Sequence, residues 1–454
     1  MIQGHSILKV IGVQLLVIGT LMLTGLIFSL IYKSGDGTAL LASGLFTIAA
    51  GGAAWYVGSR KKTKVNKRTG YLIVFLGWLA MVTFGMLPYL VSGVIPDLTG
   101  AFFETVSGMT TTGASVLNDI ESVPAGILYW RSLTQWIGGM GIIVLTVALF
   151  PLLGIGGIEL FVAEAPGPTS DKLHPRIQET AKRLWLIYVA LTVLLTIILF
   201  IAGMTFYDAI NHALTTMATG GFSTKNASMM HYDTPAIQYP IILFMFIAGT
   251  NYSVIYLGLR GKWKEVWKSD EFKAYLFLTV LFCLLVTFTV YTVTDHTFEK
   301  SFRDSLFQIV SLITTTGFVS ADYTSWTETM TLFFFILMFM GACAGSTSGG
   351  IKIIRHLVFF KNSFLEFKRL LHPRAIVPLR LNGKSVAPRI MTHILVFLLI
   401  YLATFVIGSI IITILGMDFL SAVGAVATSL GNVGPGIGSV GPVNNFAAVP
   451  TAAK

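Results

Sequence analysis

The sequence predicts an all-α polytopic membrane protein with fourfold internal repetition, and three observations carry that expectation. Of 454 residues, 54% are hydrophobic and only 11% charged, less than half the charged share of an ordinary soluble domain. Apolar windows long enough to cross a bilayer, which takes about 20 residues, recur at 10–32, 38–57, 71–95, 136–153, 184–204, 236–257, 274–293 and 391–415. A short polar loop then breaks the apolar sequence four times: "TTTGAS" at 110–115, "MATGGFS" at 217–223, "TTTGFVS" at 314–320, and the looser "GNVGPG" at 431–436.

Residues 1–69 hold two helices ahead of the repeats. The first lacks a small-residue cleavage site and outruns a signal-peptide core, so it reads as retained. The loop glycines Gly113, Gly220, Gly317 and Gly434 are separated by 107, 97 and 117 residues. A regular spacing of this kind marks repeated units, here 70–182, 183–272, 273–387 and 388–454. Each unit reads as a spanning helix, a short segment, the polar loop and a second spanning helix. The first holds 71–95, 100–111 and 128–152; the second 183–204, 206–217 and 236–258; the third 274–294, 301–314 and 331–352. The fourth offers 388–415 and 417–430 but no second helix. Only 16 residues follow Gly438, so the sequence is truncated there or this repeat is built differently.

The short segments cannot span and must enter and leave on one side. Non-helical backbone at membrane depth leaves polar groups unsatisfied, at several kcal/mol each, unless protein or water covers it. Four such loops gathered about one axis would line a common aqueous path. Asp97, Asp208, Asp304 and Asp418 precede the loops and read as N-caps of the short helices; collecting cations at the outer mouth is their other possible role.

The net charge of +10 is topological. Lys and Arg cluster at 60–68, 172–183, 260–273 and 352–389, whereas 96–127, 203–235 and 295–330 hold few. That alternation is the positive-inside pattern, placing the basic loops and the N-terminus in the cytoplasm and arguing against nucleic acid as the partner. Cys283 and Cys343 both fall in apolar runs, which argues against a disulfide framework. Neither a G-x-G-x-x-G after a strand nor a G-x-x-x-x-G-K-[ST] occurs, so nothing here binds nucleotide directly and no cofactor is expected.

A dehydrated monovalent cation needs oxygens in place of its water shell. Backbone carbonyls supply them where successive peptides turn the same way, which calls for left-handed dihedrals that glycine adopts cheaply. Threonine adds a short hydroxyl. Each short helix also aims its partially negative C-terminal end at the loop, and no Lys or Arg lies within the four loops. The parts suit a cation and not an anion.

On "SGMTTTGAS", "TTMATGGFST", "SLITTTGFVS" and "SLGNVGPGIG" in order, with "YWRSLTQWIGGMGIIVL" at 129–145, the chain resembles the Trk/Ktr/HKT superfamily of potassium transporters, closest to its bacterial TrkH branch. The resemblance implies four fused helix–pore helix–helix repeats around a pseudo-fourfold potassium pathway in the bacterial cytoplasmic membrane. It implies a potassium-binding filter of Thr111-Thr112-Gly113, Ala218-Thr219-Gly220, Thr315-Thr316-Gly317 and Asn432-Val433-Gly434. Sodium-preferring plant relatives typically carry serine at the first-repeat position, so Gly113 favours potassium. Asn432 and Pro435 make the filter only approximately fourfold.

The run "GACAGSTSGGIK" at 341–352 allows either close helix packing or a broken helix. In the family it is an intramembrane gate loop, here Gly341, Gly345, Ser346, Thr347, Ser348, Gly349 and Gly350. Lys352 and Arg355 behind it are open between positive-inside anchors and a gating role. Arg131 either snorkels to head groups or braces a filter loop. Glu104 either accepts from filter backbone or is a solvated carboxylate, and His212 reads most simply as a packed polar residue. The resemblance further implies a cytosolic TrkA-type nucleotide-binding regulator and a homodimer; the basic segments 260–273 and 353–389 are the candidate docking surfaces, with anionic membrane lipid the competing explanation for their charge. Proton- or sodium-coupled symport competes with passive, regulator-gated flux. An intramembrane enzyme using Ser107, Ser223 or Ser311 with His212 and an organic-solute transporter are the remote readings, since the hydroxyls repeat with the loops.

Overall fold

The structure, a computed structural model, describes residues 4–60, 67–152, 177–375, 377–386 and 388–454. The basic stretches at 60–68 and 172–183 fall partly outside them. Helices α1 (Gly4–Tyr32) and α2 (Gly37–Ser59) pair along their length. A Cβ on Gly12 would lie 2.7 Å from the Gly51 carbonyl oxygen, and one on Gly19 2.8 Å from that of Gly44. Only glycine lets the two backbones approach so closely, which is how helices associate where lipid offers no hydrophobic drive.

The first repeat comprises α3 (Lys67–Gly85), its continuation α4 (Leu87–Ser92), the short α5 (Leu98–Met109) and α6 (Ala125–Leu152). The second comprises α7 (Ile177–Ile201), the short α8 (Phe206–Met217), α9 (Pro235–Ala248), α10 (Tyr252–Leu259) and α11 (Trp263–Val266). In the third, α12 (Asp270–Val293) leads to the short α13 (Phe298–Ile313), α14 (Glu328–Leu337) and α15 (Ile353–Leu371). A hairpin of β1 (Arg380–Leu381) and β2 (Lys384–Ser385) follows. The fourth repeat has α16 (Pro388–Ile414), the short α17 (Phe419–Gly431) and a 3₁₀ turn at Gly438–Val440. Six helices among the described residues are long and apolar enough to cross a membrane, or up to 7 if the bent pair α9 and α10 is one span. The protein is an all-α, multi-pass membrane protein.

Its lateral faces follow from lipid as solvent. On α12, Thr279, Cys283, Val286 and Thr287 are buried, whereas Phe277, Leu281, Leu284 and Phe288 are exposed. The buried Thr279 hydroxyl donates back to the Tyr275 carbonyl at 2.8 Å, so the inward polar group is satisfied within its own helix.

Three sequence expectations change. The continuous helix expected over 236–258 is broken: α9 and α10 meet at 109°. Asn251 caps α10, its side chain accepting from Ser253 N at 2.8 Å, and Gly249 packs so closely that a Cβ would sit 2.7 Å from the Tyr275 hydroxyl. Asp97 and Asp418 do cap α5 and α17, accepting from Gly100 N at 2.6 Å and Ser421 N at 3.0 Å. Asp208 and Asp304 do not. Thr205 and Thr297 cap those helices instead, because each chain turns into helix earlier than the aspartate. Asp208 accepts from the Thr205 and Thr224 hydroxyls at 2.7 and 2.6 Å, while Asp304 lies inside α13, 3.4 Å from Lys300 Nζ.

Candidate functional site

Each short helix ends by reversing its backbone hand. Thr111, Thr219, Thr315 and Asn432 carry φ of 59°, 52°, 54° and 61°, and two residues on Gly113, Gly221, Gly317 and Gly434 carry 86°, 75°, 76° and 100°. The residues between them are held alike, with Thr112 N, Gly220 N, Thr316 N and Val433 N donating to Ser107, Thr215, Ser311 and Thr428 carbonyls at 2.8–2.9 Å. The loops therefore align as Thr111-Thr112-Gly113, Thr219-Gly220-Gly221, Thr315-Thr316-Gly317 and Asn432-Val433-Gly434. Ala218-Thr219-Gly220 was offset by one: Ala218 still has right-handed helical geometry as the C-cap of α8, and the positive φ belongs to Gly221.

The four loops close on one another in repeat order. A Cβ on Gly113 would overlap the Gly220 carbonyl oxygen, one on Gly221 that of Thr316, and one on Gly317 that of Val433. On Gly434 it would lie 2.8 Å from the Thr112 carbonyl oxygen, which completes the circuit. At these positions the left-handed backbone and the neighbouring peptide both exclude a side chain. The short helices α5, α8, α13 and α17 run into this ring by their C-terminal ends, bringing four partial negative charges to one place.

Buried side chains brace the ring from behind. Arg131, 1% exposed, donates through Nε to Glu104 at 2.7 Å and through a terminal nitrogen to the Ser223 carbonyl at 3.2 Å. Its guanidinium carbon lies 3.5 Å from the centre of the Phe222 ring. Arg131 thus ties the first loop to the second and does not snorkel. Glu104 is buried, not solvated, and accepts from Val116 N at 2.8 Å and the Ser115 hydroxyl at 3.0 Å. His212 is buried with Nε2 2.9 Å from the Ser223 hydroxyl and Nδ1 2.8 Å from the Asp208 carbonyl. The histidine–serine pair serves the loop wall, and Ser311 likewise donates to the Phe318 carbonyl at 2.7 Å. Sequence reasoning missed Gln135, whose amide donates to the Gly220 carbonyl at 2.6 Å and accepts from Phe222 N at 3.0 Å. It also missed Gln308, which donates to the Ala321 carbonyl at 2.9 Å. The signal was available: Glu104, His212 and Gln308 each stand nine residues before Gly113, Gly221 and Gly317, once the second loop is in register.

The fourth seam is sewn by Asn432. Its Oδ1 accepts from the Thr112 hydroxyl at 2.5 Å, and its Nδ2 donates to the Thr110 carbonyl at 2.9 Å and lies 3.3 Å from the Thr111 hydroxyl.

Under the ring lies the chain between α14 and α15. Gly349 N donates to the Thr315 hydroxyl at 2.6 Å, and a Cβ on Gly349 would lie 2.9 Å from Asn432 Nδ2. The Thr347 hydroxyl sits 3.2 Å from that of Thr219 and within 3.3 Å of the Met217 and Ala248 carbonyls. The loop is closed internally by Gly341 N to the Ile351 carbonyl at 2.6 Å and by Ser346 to Cys343 O at 2.6 Å. Gly345 and Gly350 have φ of 73° and 63°. Gly345 O accepts from Tyr252 N at 3.1 Å, and Cys343 N donates to Gly249 O at 3.0 Å, so the loop rests in the crook of α9 and α10. Lys352 Nζ bonds the Ser348 carbonyl and lies 3.2 Å from its hydroxyl. Arg355 is buried over the Phe397 ring at 3.9 Å, packing α15 on α16, and its backbone N donates to the Lys352 carbonyl at 2.9 Å.

Comparison with known proteins agrees with this architecture. The model of the TrkH family, described as a cation transport protein, matches residues 36–454. The Trk system potassium uptake protein TrkH of Salmonella typhimurium is 40% identical over 460 residues, covering 99% of this chain and 94% of the relative. The Halomonas elongata protein of the same name is 34% identical, with 99% and 94% covered. The crystal structure of the potassium transporter TrkH from Vibrio parahaemolyticus superposes with a TM-score of 0.89 at 36% identity, covering 100% of this chain and 94% of that one. With the loops, their ring and the loop beneath it already in place, these matches establish that the chain belongs to the TrkH family of cation transport proteins.

Proposed function

We propose that this chain carries potassium into bacteria across the cytoplasmic membrane, through the ring of four loops acting as a selectivity filter. The observation that carries the reading is the closed circuit from Gly113 to the second loop and onward to Gly434, which abuts Thr112. Left-handed residues two apart in every loop present main-chain oxygens in place of a hydration shell. The hydroxyls of Thr111, Thr219 and Thr315 offer further ligands at the inner end.

The loop 341–352 acts as the gate, since it occupies the inner face of the ring through Gly349 and Thr347. The N-terminus lies in the cytoplasm with the basic loops. A cytosolic TrkA-type regulator and a second copy of the chain complete the assembly, as the family resemblance implies. Passive, gated flux is favoured over coupling to protons or sodium, because the buried carboxylate Glu104 beside the filter is committed to Arg131 and not available as a carrier. Rubidium or potassium uptake into proteoliposomes under sodium competition tests the reading. Selective uptake that Gly113→Ser degrades is expected; uptake indifferent to that substitution, or equal for sodium and potassium, would contradict it.

A further inference from the structure

The first turn of α12 holds two acidic residues that point to different parts of the molecule. Ser269 caps the helix, its hydroxyl accepting from Phe272 N at 3.3 Å. Asp270 N donates to Asn382 Oδ1 at 2.7 Å, and Asn382 N donates back to Asp270 Oδ2 at 3.0 Å. That same carboxylate oxygen takes Lys361 Nζ of α15 at 3.0 Å, with Lys273 3.9 Å from the other. Asn382 is the tip of the β1–β2 hairpin, where φ values of 49° and 75° at Asn382 and Gly383 make a two-residue turn suited to an Asn-Gly pair. Leu381 anchors the hairpin in a cluster with Ile354 and Val358, while Arg380 and Lys384 are exposed. Glu271, the next residue, is 8% exposed and turns inward, accepting from Ala344 N at 2.6 Å.

We propose that Asp270 and Glu271 are positioning residues that couple the place of the hairpin to the loop beneath the filter. Adjacent residues on one helical turn share a rigid backbone, so a shift that the hairpin imposes on Asp270 moves the Glu271 carboxylate and its hold on Ala344. The linkage uses a stretch of surface 112 residues from Asp270 in sequence to reach the inner end of the pathway. It rests on the reading of 341–352 as the gate only for its effect on flux; its effect on the loop is separate.

The test is hydrogen exchange of the full chain in nanodiscs, read at amides 342–350, with rubidium flux measured on the same preparations. Asn382→Gly keeps the left-handed turn and removes the side-chain acceptor. It is expected to speed exchange in the loop about three- to fivefold, and Glu271→Gln about five- to tenfold, from the loss of one hydrogen bond or of its charge. Exchange in α1 and α2 should stay unchanged, which a global loss of folding would not allow. The double variant should exchange no faster than Glu271→Gln alone, since both act on one linkage. Loop exchange indifferent to Asn382→Gly, or effects of the two substitutions that multiply, would overturn the proposal. Faster exchange with unchanged flux would leave the linkage standing and count against the loop as gate.

Discussion

Replacing Gly221 with alanine should damage ion discrimination in a way that no neighbouring substitution repairs, whereas the adjacent Gly220→Ala should be repairable. At Gly221, φ is 75° and a Cβ would overlap the Thr316 carbonyl oxygen and lie 3.0 Å from the Gly317 carbonyl carbon. The left-handed conformation costs alanine about 1–2 kcal/mol, and forcing extra volume against fixed atoms about 1–3 more. The sum is roughly 2–5 kcal/mol, and the obstacle is the main chain of the next loop. Since about 1.4 kcal/mol is tenfold in an equilibrium, the ratio of rubidium to sodium uptake in proteoliposomes should fall at least about tenfold. At Gly220 there is no positive φ, and a Cβ would meet Gln135, 2.5 Å from Oε1 and 2.7 Å from Nε2. Gln135 would swing away and give up its two bonds, at about 1 kcal/mol each. Gly220→Ala combined with Gln135→Ala should then behave like Gln135→Ala alone, while Gly221→Ala stays defective in that background. Full selectivity in Gly221→Ala, beside a Gly220→Ala defect that Gln135→Ala does not relieve, would refute the register and the ring geometry built on it.

Arg131→Met strands Glu104 at 0% side-chain exposure, and loss of one partner of a buried pair costs about 3–5 kcal/mol. Thermal unfolding in detergent should show a large fall in Tm that adding Glu104→Gln partly restores. Gly349→Ala would press on the Asn432 amide, 2.9 Å from its nitrogen, and displace the loop; basal rubidium flux should rise severalfold. At the exposed Asp233, burial raises the carboxyl pKa but the bonds from Lys300 and Arg303 outweigh it, holding the pKa below the ordinary value. Its stabilisation is therefore present above the unfolded pKa of about 4 and lost as pH falls through the lower folded value. With the aspartate 49% exposed, screening keeps the term under about 1 kcal/mol. A small acid-side fall in Tm should disappear in Asp233→Asn.

The ring was legible because its physical demand is narrow. A left-handed residue packed on another peptide admits only glycine, so the four loops announce themselves in the sequence. The second loop slipped because "ATGGF" supplies two consecutive glycines, and composition does not say which takes the positive φ; that depends on where α8 ends. The break between α9 and α10 was hidden in a run of unbroken hydropathy, since its cause is tertiary. Gly249 and Tyr252 receive the loop 341–352, whose position no local pattern encodes. The same holds for Asp304, because Thr297 is an equally good cap about two turns earlier and the longer α13 follows from packing. Arg131 and Glu104 stayed open between a filter role and an interfacial or solvated one, and Gln135 carried no signal, because only the fold buries all three behind the filter.

Anomalous scattering from crystals grown in rubidium tests the central claim most directly. Ions should appear on the axis enclosed by Thr111–Gly113, Thr219–Gly221, Thr315–Gly317 and Asn432–Gly434, and sodium should displace them poorly. Rubidium bound elsewhere, with that axis empty in a preparation that still transports it, would contradict the account.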